Sequence, residues 1–131
     1  MNTSIFIVPV AVLLMCAGCR DGCKNSIASR TVSPDGSHAA VLFQRDCGAT
    51  TGFSTQISVL QNGEDPGEGG NIFRADDDHG AARTGSWGGP WADMEWLAPD
   101  HLLVRYAAQS RIFAQEREMR DIKIEYQRVD H

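Results

Sequence analysis

The amino-acid sequence predicts an all-β fold, a small antiparallel meander or sandwich of six to seven strands with at most one short helix. Three observations predict it. Residues 53–59 and 122–127 alternate apolar and polar side chains with the period of two that a half-buried strand requires. Turn signals separate such segments at hairpin-like spacing, Ser33-Pro34-Asp35-Gly36 and Ala98-Pro99-Asp100 being the sharpest. No stretch carries the 3.6-residue apolar repeat of a long amphipathic helix. A chain of 131 residues is enough for one hydrophobic core.

Taken in order, residues 26–32 read as an edge strand of weak alternation. In the turn that follows, proline sets φ at the second position, Asp suits the third and Gly the fourth, as in a type I turn. Residues 38–44 are apolar on both faces (Ala40 and Leu42 on one, Ala39, Val41 and Phe43 on the other), as in a central strand covered on two sides. The next strand places Phe53, Thr55, Ile57 and Val59 on a single buried face. Residues 61–90 hold eight glycines and two prolines and read as two long loops around a short strand at 71–75. A second hairpin joins 91–97 to 101–107, with Leu102, Val104 and Tyr106 on one face and Leu103 and Arg105 on the other. Residues 110–120 suit either a strand extension or one to two turns of helix, and 122–127 form the clearest strand.

The net charge of −5 and pI near 5.2 exclude nucleic acid as the main partner, which needs clustered Lys and Arg. At the N-terminus, residues 5–15 form an apolar run of eleven, the length of an export-signal core and short of the ~20 residues that span a bilayer as a helix. Small residues then precede a cysteine in Cys16-Ala17-Gly18-Cys19. This resembles the lipobox of bacterial lipoproteins, although Cys16 stands where an aliphatic residue is usual and residues 1–4 lack a basic side chain. The resemblance implies cleavage after residue 18, a lipidated (palmitate-bearing) Cys19, a tether at 19–25 and a β domain at 26–131. Removing residues 1–18 from 131 leaves 113, with Cys23 and Cys47 as the remaining pair in an oxidising compartment. Arg20 after the lipid cysteine, where Asp would signal inner-membrane retention, favours the outer membrane if the cell has one.

Two further resemblances are local. Residues 33–43 and 96–106 resemble single blades of TolB-like β-propellers, but 113 residues hold about two blades of roughly 40 to 50 residues and close no propeller. Cys23, Asn25, Ser33-Pro34-Asp35-Gly36 and the stretch 43–56 around Cys47 resemble a group of small exported bacterial proteins without assigned activity, which implies export and one β domain and no chemistry.

Candidate chemistry sits in three places. Arg45, Asp46, Thr50 and Thr51 flank Cys47 and offer a cation for an acidic group, a carboxylate and two hydroxyls; the same residues equally suit a disulfide-pinned β-connection in which Asp and Thr satisfy the local backbone. Asp76, Asp78 and His79 supply oxygen and nitrogen donors, but the Asp-x-Asp-x-Gly order overlaps a calcium loop only partly and lacks its downstream bidentate Glu, so a solvated acidic loop is the plainer account. Trp87, Trp91 and Trp96 resemble a stacking surface for sugars or peptides, with Trp96 expected in the core and Trp87 expected exposed. Ser86 lacks the glycine-flanked elbow of a serine hydrolase, and the four histidines have no metalloprotease spacing. The sequence therefore points to a cell-envelope lipoprotein that binds or scaffolds without catalysis or cofactor, partnered by the membrane through its anchor and by an envelope protein or glycan. The alternatives are a small metal-dependent hydrolase using Asp76 to His79, or an inhibitor or immunity-type protein.

Overall fold

In the computed structural model, residues 22–48 and 53–130 are described, and they form nine β-strands and no helix. The first sheet contains β1 (Lys24–Val32), β2 (His38–Asp46), β3 (Ser54–Gln61), β4 (Phe73–Asp76) and β7 (Arg111–Gln115), in the order β1-β2-β3-β4-β7 with every pair antiparallel. The second contains β5 (Ala92–Ala98), β6 (His101–Ala107), β8 (Glu118–Met119) and β9 (Ile122–Val129), in the order β5-β6-β9-β8. Here β6 and β9 run parallel, because the chain leaves β6 for the first sheet as β7 before returning. The expected antiparallel pairing holds at every other strand pair. The expected count of six or seven rises to nine because residues 110–120, ambiguous between strand and helix, supply both β7 and the short β8.

The two sheets share one apolar layer. Ala40, Leu42, Ile57, Val59, Ile72, Phe73 and Ala75 from the first meet Ala92, Leu102, Val104, Tyr106, Ile122 and Ile124 from the second. This is the sandwich that period-two alternation allows, each strand giving alternate side chains to the interior. Tyr126 closes one side of it. Its ring stacks on Phe73 at 6.0 Å, and its hydroxyl lies 2.9 Å from the Ile72 carbonyl and 2.6 Å from that of Glu116, so β9 is tied across the gap to the first sheet. Burial, and then the nearby Glu116 carboxylate, hold the phenol well above its ordinary pKa, which keeps it a donor. On the opposite side Trp96 is partly buried against the core and donates Nε1–H to the Thr31 carbonyl at 2.9 Å, linking β5 to β1.

β2 is buried on both faces as its sequence predicts. Ala39, Val41 and Phe43 form a second small cluster with Leu60 on the outer face of the first sheet. β3 departs from its expected half-exposure: outward-facing Gln56 and Ser58 are 8% and 2% exposed. The cause is the glycine-rich segment 62–71, which folds back as a roof. The Gly70 N–H donates to Gln56 Oε1 at 2.7 Å, the Asn71 N–H to Ser58 Oγ at 3.0 Å, and Asn25 Nδ2 to the Pro66 and Glu68 carbonyls. Gly70 permits the approach, since a Cβ there would lie 2.5 Å from the Phe73 carbonyl oxygen and 2.9 Å from Ile57 backbone atoms.

The Ser33–Gly36 turn forms as expected, with the Gly36 N–H on the Ser33 carbonyl at 2.8 Å. Asp35 accepts from Ser33 Oγ, Ser37 Oγ and the Ser37 N–H, and these bonds, led by Ser33, lower its pKa from 3.8 to about 2. A depressed carboxylate pKa adds stability that is present above pH 3.8 and lost as pH falls through about 2. Wild-type thermal stability is therefore expected to decline across this window more steeply than that of Asp35→Asn, which lacks the titrating group; parallel melting-temperature curves for the two would refute the assignment.

Candidate functional site

One end of the sandwich collects the candidates that the sequence scatters. β2 leaves this end at Asp46 and β3 re-enters it at Ser54, which pairs with Asp76 at the end of β4. Cys47 and Phe53, the described ends of this connection, and the Asp76–His79 turn therefore lie at the same end of the first sheet. The Gly85–Gly89 turn joins them: Phe53, 48% exposed, lies over Gly88, where a Cβ would come within 2.6 Å of its ring.

Cys23 and Cys47 are bonded, with an S–S distance of 2.03 Å, directly beyond the terminal Lys24–Asp46 rung of the β1–β2 ladder. One rung inward, Arg45 Nη1 donates to Asn25 Oδ1 at 2.7 Å, and the amide of the same Asn25 holds the 62–71 roof. The Arg45 carbonyl accepts from Ser54 Oγ at 3.2 Å. Asp46 Oδ1 accepts the Gly48 N–H at 2.8 Å, an Asx-type turn made easy by the positive φ of 71° at Gly48. Arg45 and Asp46 are thus both engaged in holding the connection together. Thr50 and Thr51, like Cys19, lie outside the described residues.

Asp76, Asp78 and His79 are placed as a turn. Both Asp76 carboxylate oxygens accept from Arg111, and Oδ1 also accepts the Asp78 N–H at 2.9 Å. The Arg111 bonds, offset by partial burial, lower the Asp76 pKa. Asp78, His79 and Gly80 have φ of 50°, 56° and 90°, a run of left-handed backbone. Among the described residues no group of three or more His, Cys, Asp or Glu side chains is arranged to hold a metal ion.

Trp87 is not the exposed surface its glycine-rich setting suggests. It is partly buried against the core, its ring fills the space where Gly85 would carry a Cβ, and its Nε1–H donates to Thr55 Oγ1 at 2.8 Å. Thr55 is fully buried, and its own hydroxyl donates a hydrogen bond to the Pro90 carbonyl at 2.6 Å. Thr55→Val keeps the shape and removes both bonds, leaving a buried carbonyl and an indole N–H without partners. The expected loss is about 2 kcal/mol in chemical denaturation, and a loss below about 0.5 kcal/mol would show that water replaces the hydroxyl. Trp91, by contrast, lies at the β5 entry with Arg83 and Arg105 at 5.5 and 5.9 Å from its ring, Arg105 being held by Asp93.

The bonds of Asn25 and Gln56 to the 62–71 segment were beyond sequence reasoning, because their partners there are main-chain groups up to 43 residues away. The only sequence signal was the set of amides among strand residues. Comparison of the chain with protein families, curated proteins and solved structures finds no match. The fold itself defines the class: a disulfide-closed β-sandwich, with nine strands among the described residues. No helix among the described residues is long and apolar enough to cross a membrane.

Proposed function

We propose that the protein is exported and anchored in the cell envelope by a lipid on Cys19, and that its β-sandwich works there as a binding or structural module without catalysis. The observation that carries this reading is the Cys23–Cys47 bond, since such bonds persist in oxidising compartments. It begins only four residues after Cys19, in line with a tether leading from the bilayer directly into a rigid, covalently closed end of the sandwich. The engagement of Arg45, Asp46, Asp76 and Trp87 in structural bonds supports a scaffold over a hydrolase. Arg20 supports the outer membrane, where the cell has one. Mass spectrometry of the mature N-terminus tests the anchor: the expected product starts at Cys19 with added acyl mass, and an intact Met1 or an unmodified Cys19 would overturn it.

A further inference from the structure

We propose that the free edge of β9 is a docking site for an extended polypeptide strand of neutral to acidic character, added to the second sheet by main-chain hydrogen bonds. The inference rests on the binding-module reading and supplies its surface and partner class.

The ladder decides which groups are available. The Lys123 N–H donates to the Asp100 carbonyl and the Val129 carbonyl accepts from the Ala108 N–H, both on the β6 side. Odd-numbered β9 residues therefore face β6, and Ile124, Tyr126 and Arg128 turn their N–H and C=O groups the other way. On that side β8 pairs only with Ile122 and Lys123, and the Ile124 N–H is taken by the Arg117 carbonyl. Beyond Ile124, among the described residues, the main-chain groups of Tyr126 and Arg128 have no neighbouring strand. An edge of this kind is a template for one more strand.

The edge borders a groove of about 920 Å³, which runs from the β7–β8 connection along β9. Arg117, Lys123 and Arg128 in its lining have no carboxylate at ion-pair distance among the described residues. Against them stand Glu118 and Glu125, the latter 3.9 Å from His101. The groove thus carries a local positive excess on a chain of net charge −5, which favours an incoming strand with acidic side chains. Lys123 and Glu125 on the solvent face oppose uncontrolled edge pairing, so the added strand must match them.

The test uses the full exported chain in detergent and a capped synthetic peptide, Thr-Val-Glu-Val-Glu-Val-Thr, read by amide hydrogen exchange. The peptide is expected to slow exchange at Tyr126 and Arg128 roughly tenfold, with Glu125 and Gln127, already bonded to β6, unchanged. Arg128→Pro removes one outward N–H while sparing the β6 ladder, and is expected to abolish that protection; should this variant unfold, a peptide N-methylated on alternate residues against the native chain gives the same test. Replacing both peptide glutamates by lysine should weaken binding roughly fivefold. No protection at Tyr126 and Arg128, or equal binding by the N-methylated peptide, overturns the proposal. Protection elsewhere, for example in β2 and β3, overturns it while leaving the binding-module reading intact, and concentration-dependent protection without peptide assigns the edge to a second copy of this chain instead.

Discussion

Phe73→Ala is expected to cost about 3–5 kcal/mol of folding stability, the range for emptying an aromatic site in a close-packed core. Phe73 is fully buried in β4, a strand of only four residues that joins β3 to β7. Its ring centroid lies 5.6 Å from that of Tyr106 and 6.0 Å from that of Tyr126, so one side chain connects both sheets and the tyrosine that closes their gap. Removing it leaves a cavity that β4 cannot collapse, because its backbone is held by β3 on one side and β7 on the other. Phe113, which is 61% exposed on neighbouring β7, supplies the control. Phe113→Ala should change stability by no more than about 0.5 kcal/mol in the same urea titration. Equal losses in the two variants would contradict the assignment of Phe73 to the shared core.

Breaking the Cys23–Cys47 bond, by reductant or by the paired substitutions Cys23→Ser and Cys47→Ser, should remove about 3 kcal/mol and lower the melting temperature by roughly 10–20 °C. The two cysteines are separated by 24 positions, and releasing that loop restores conformational freedom to the unfolded chain. The folded state is affected locally as well. β1 is an edge strand with a register irregularity between Ile27 and Ser29, and beyond its pairing with β2 the bonds of Asn25 hold its start to Arg45 and the roof. Amide exchange in β1 should therefore quicken more than in β3 when the bond is cut. A calorimetric scan that is the same with and without reductant would dismiss this role.

Strand positions were legible because a period of two is a local property. β2 and β3 begin and end within a few residues of where the apolar run of one and the alternation of the other do, and the turn at Ser33 to Gly36 follows from its own four side chains. The cysteine pair was legible for a different reason: the lipobox resemblance assigns Cys16 to a cleaved signal and Cys19 to a lipid, which leaves Cys23 and Cys47 to pair. The candidate site was legible in part. Arg45, Asp46 and Cys47 stand together in the chain, but their nearness to the Asp76 turn and to Trp87 depends on the pairing of Ser54 with Asp76 and on the packing of Phe53 over Gly88. Trp87 misled because an indole among glycines looks exposed until Thr55, 32 positions away, accepts its N–H.

The sequence by itself determined the all-β class, most of the strand segments and the two-faced burial of β2, each of them set by side-chain patterning, while the cysteine pair followed from the lipobox resemblance. Tertiary structure decided the order of strands within each sheet, the parallel join of β6 to β9, the roof that buries Gln56 and Ser58, and the edge at Tyr126 and Arg128 that no described strand covers. The physical reason is that main-chain hydrogen bonds between strands are identical in kind for every residue. Local alternation records which face of a strand is buried, and only the competition among distant segments for the shared core settles which edge lies beside which.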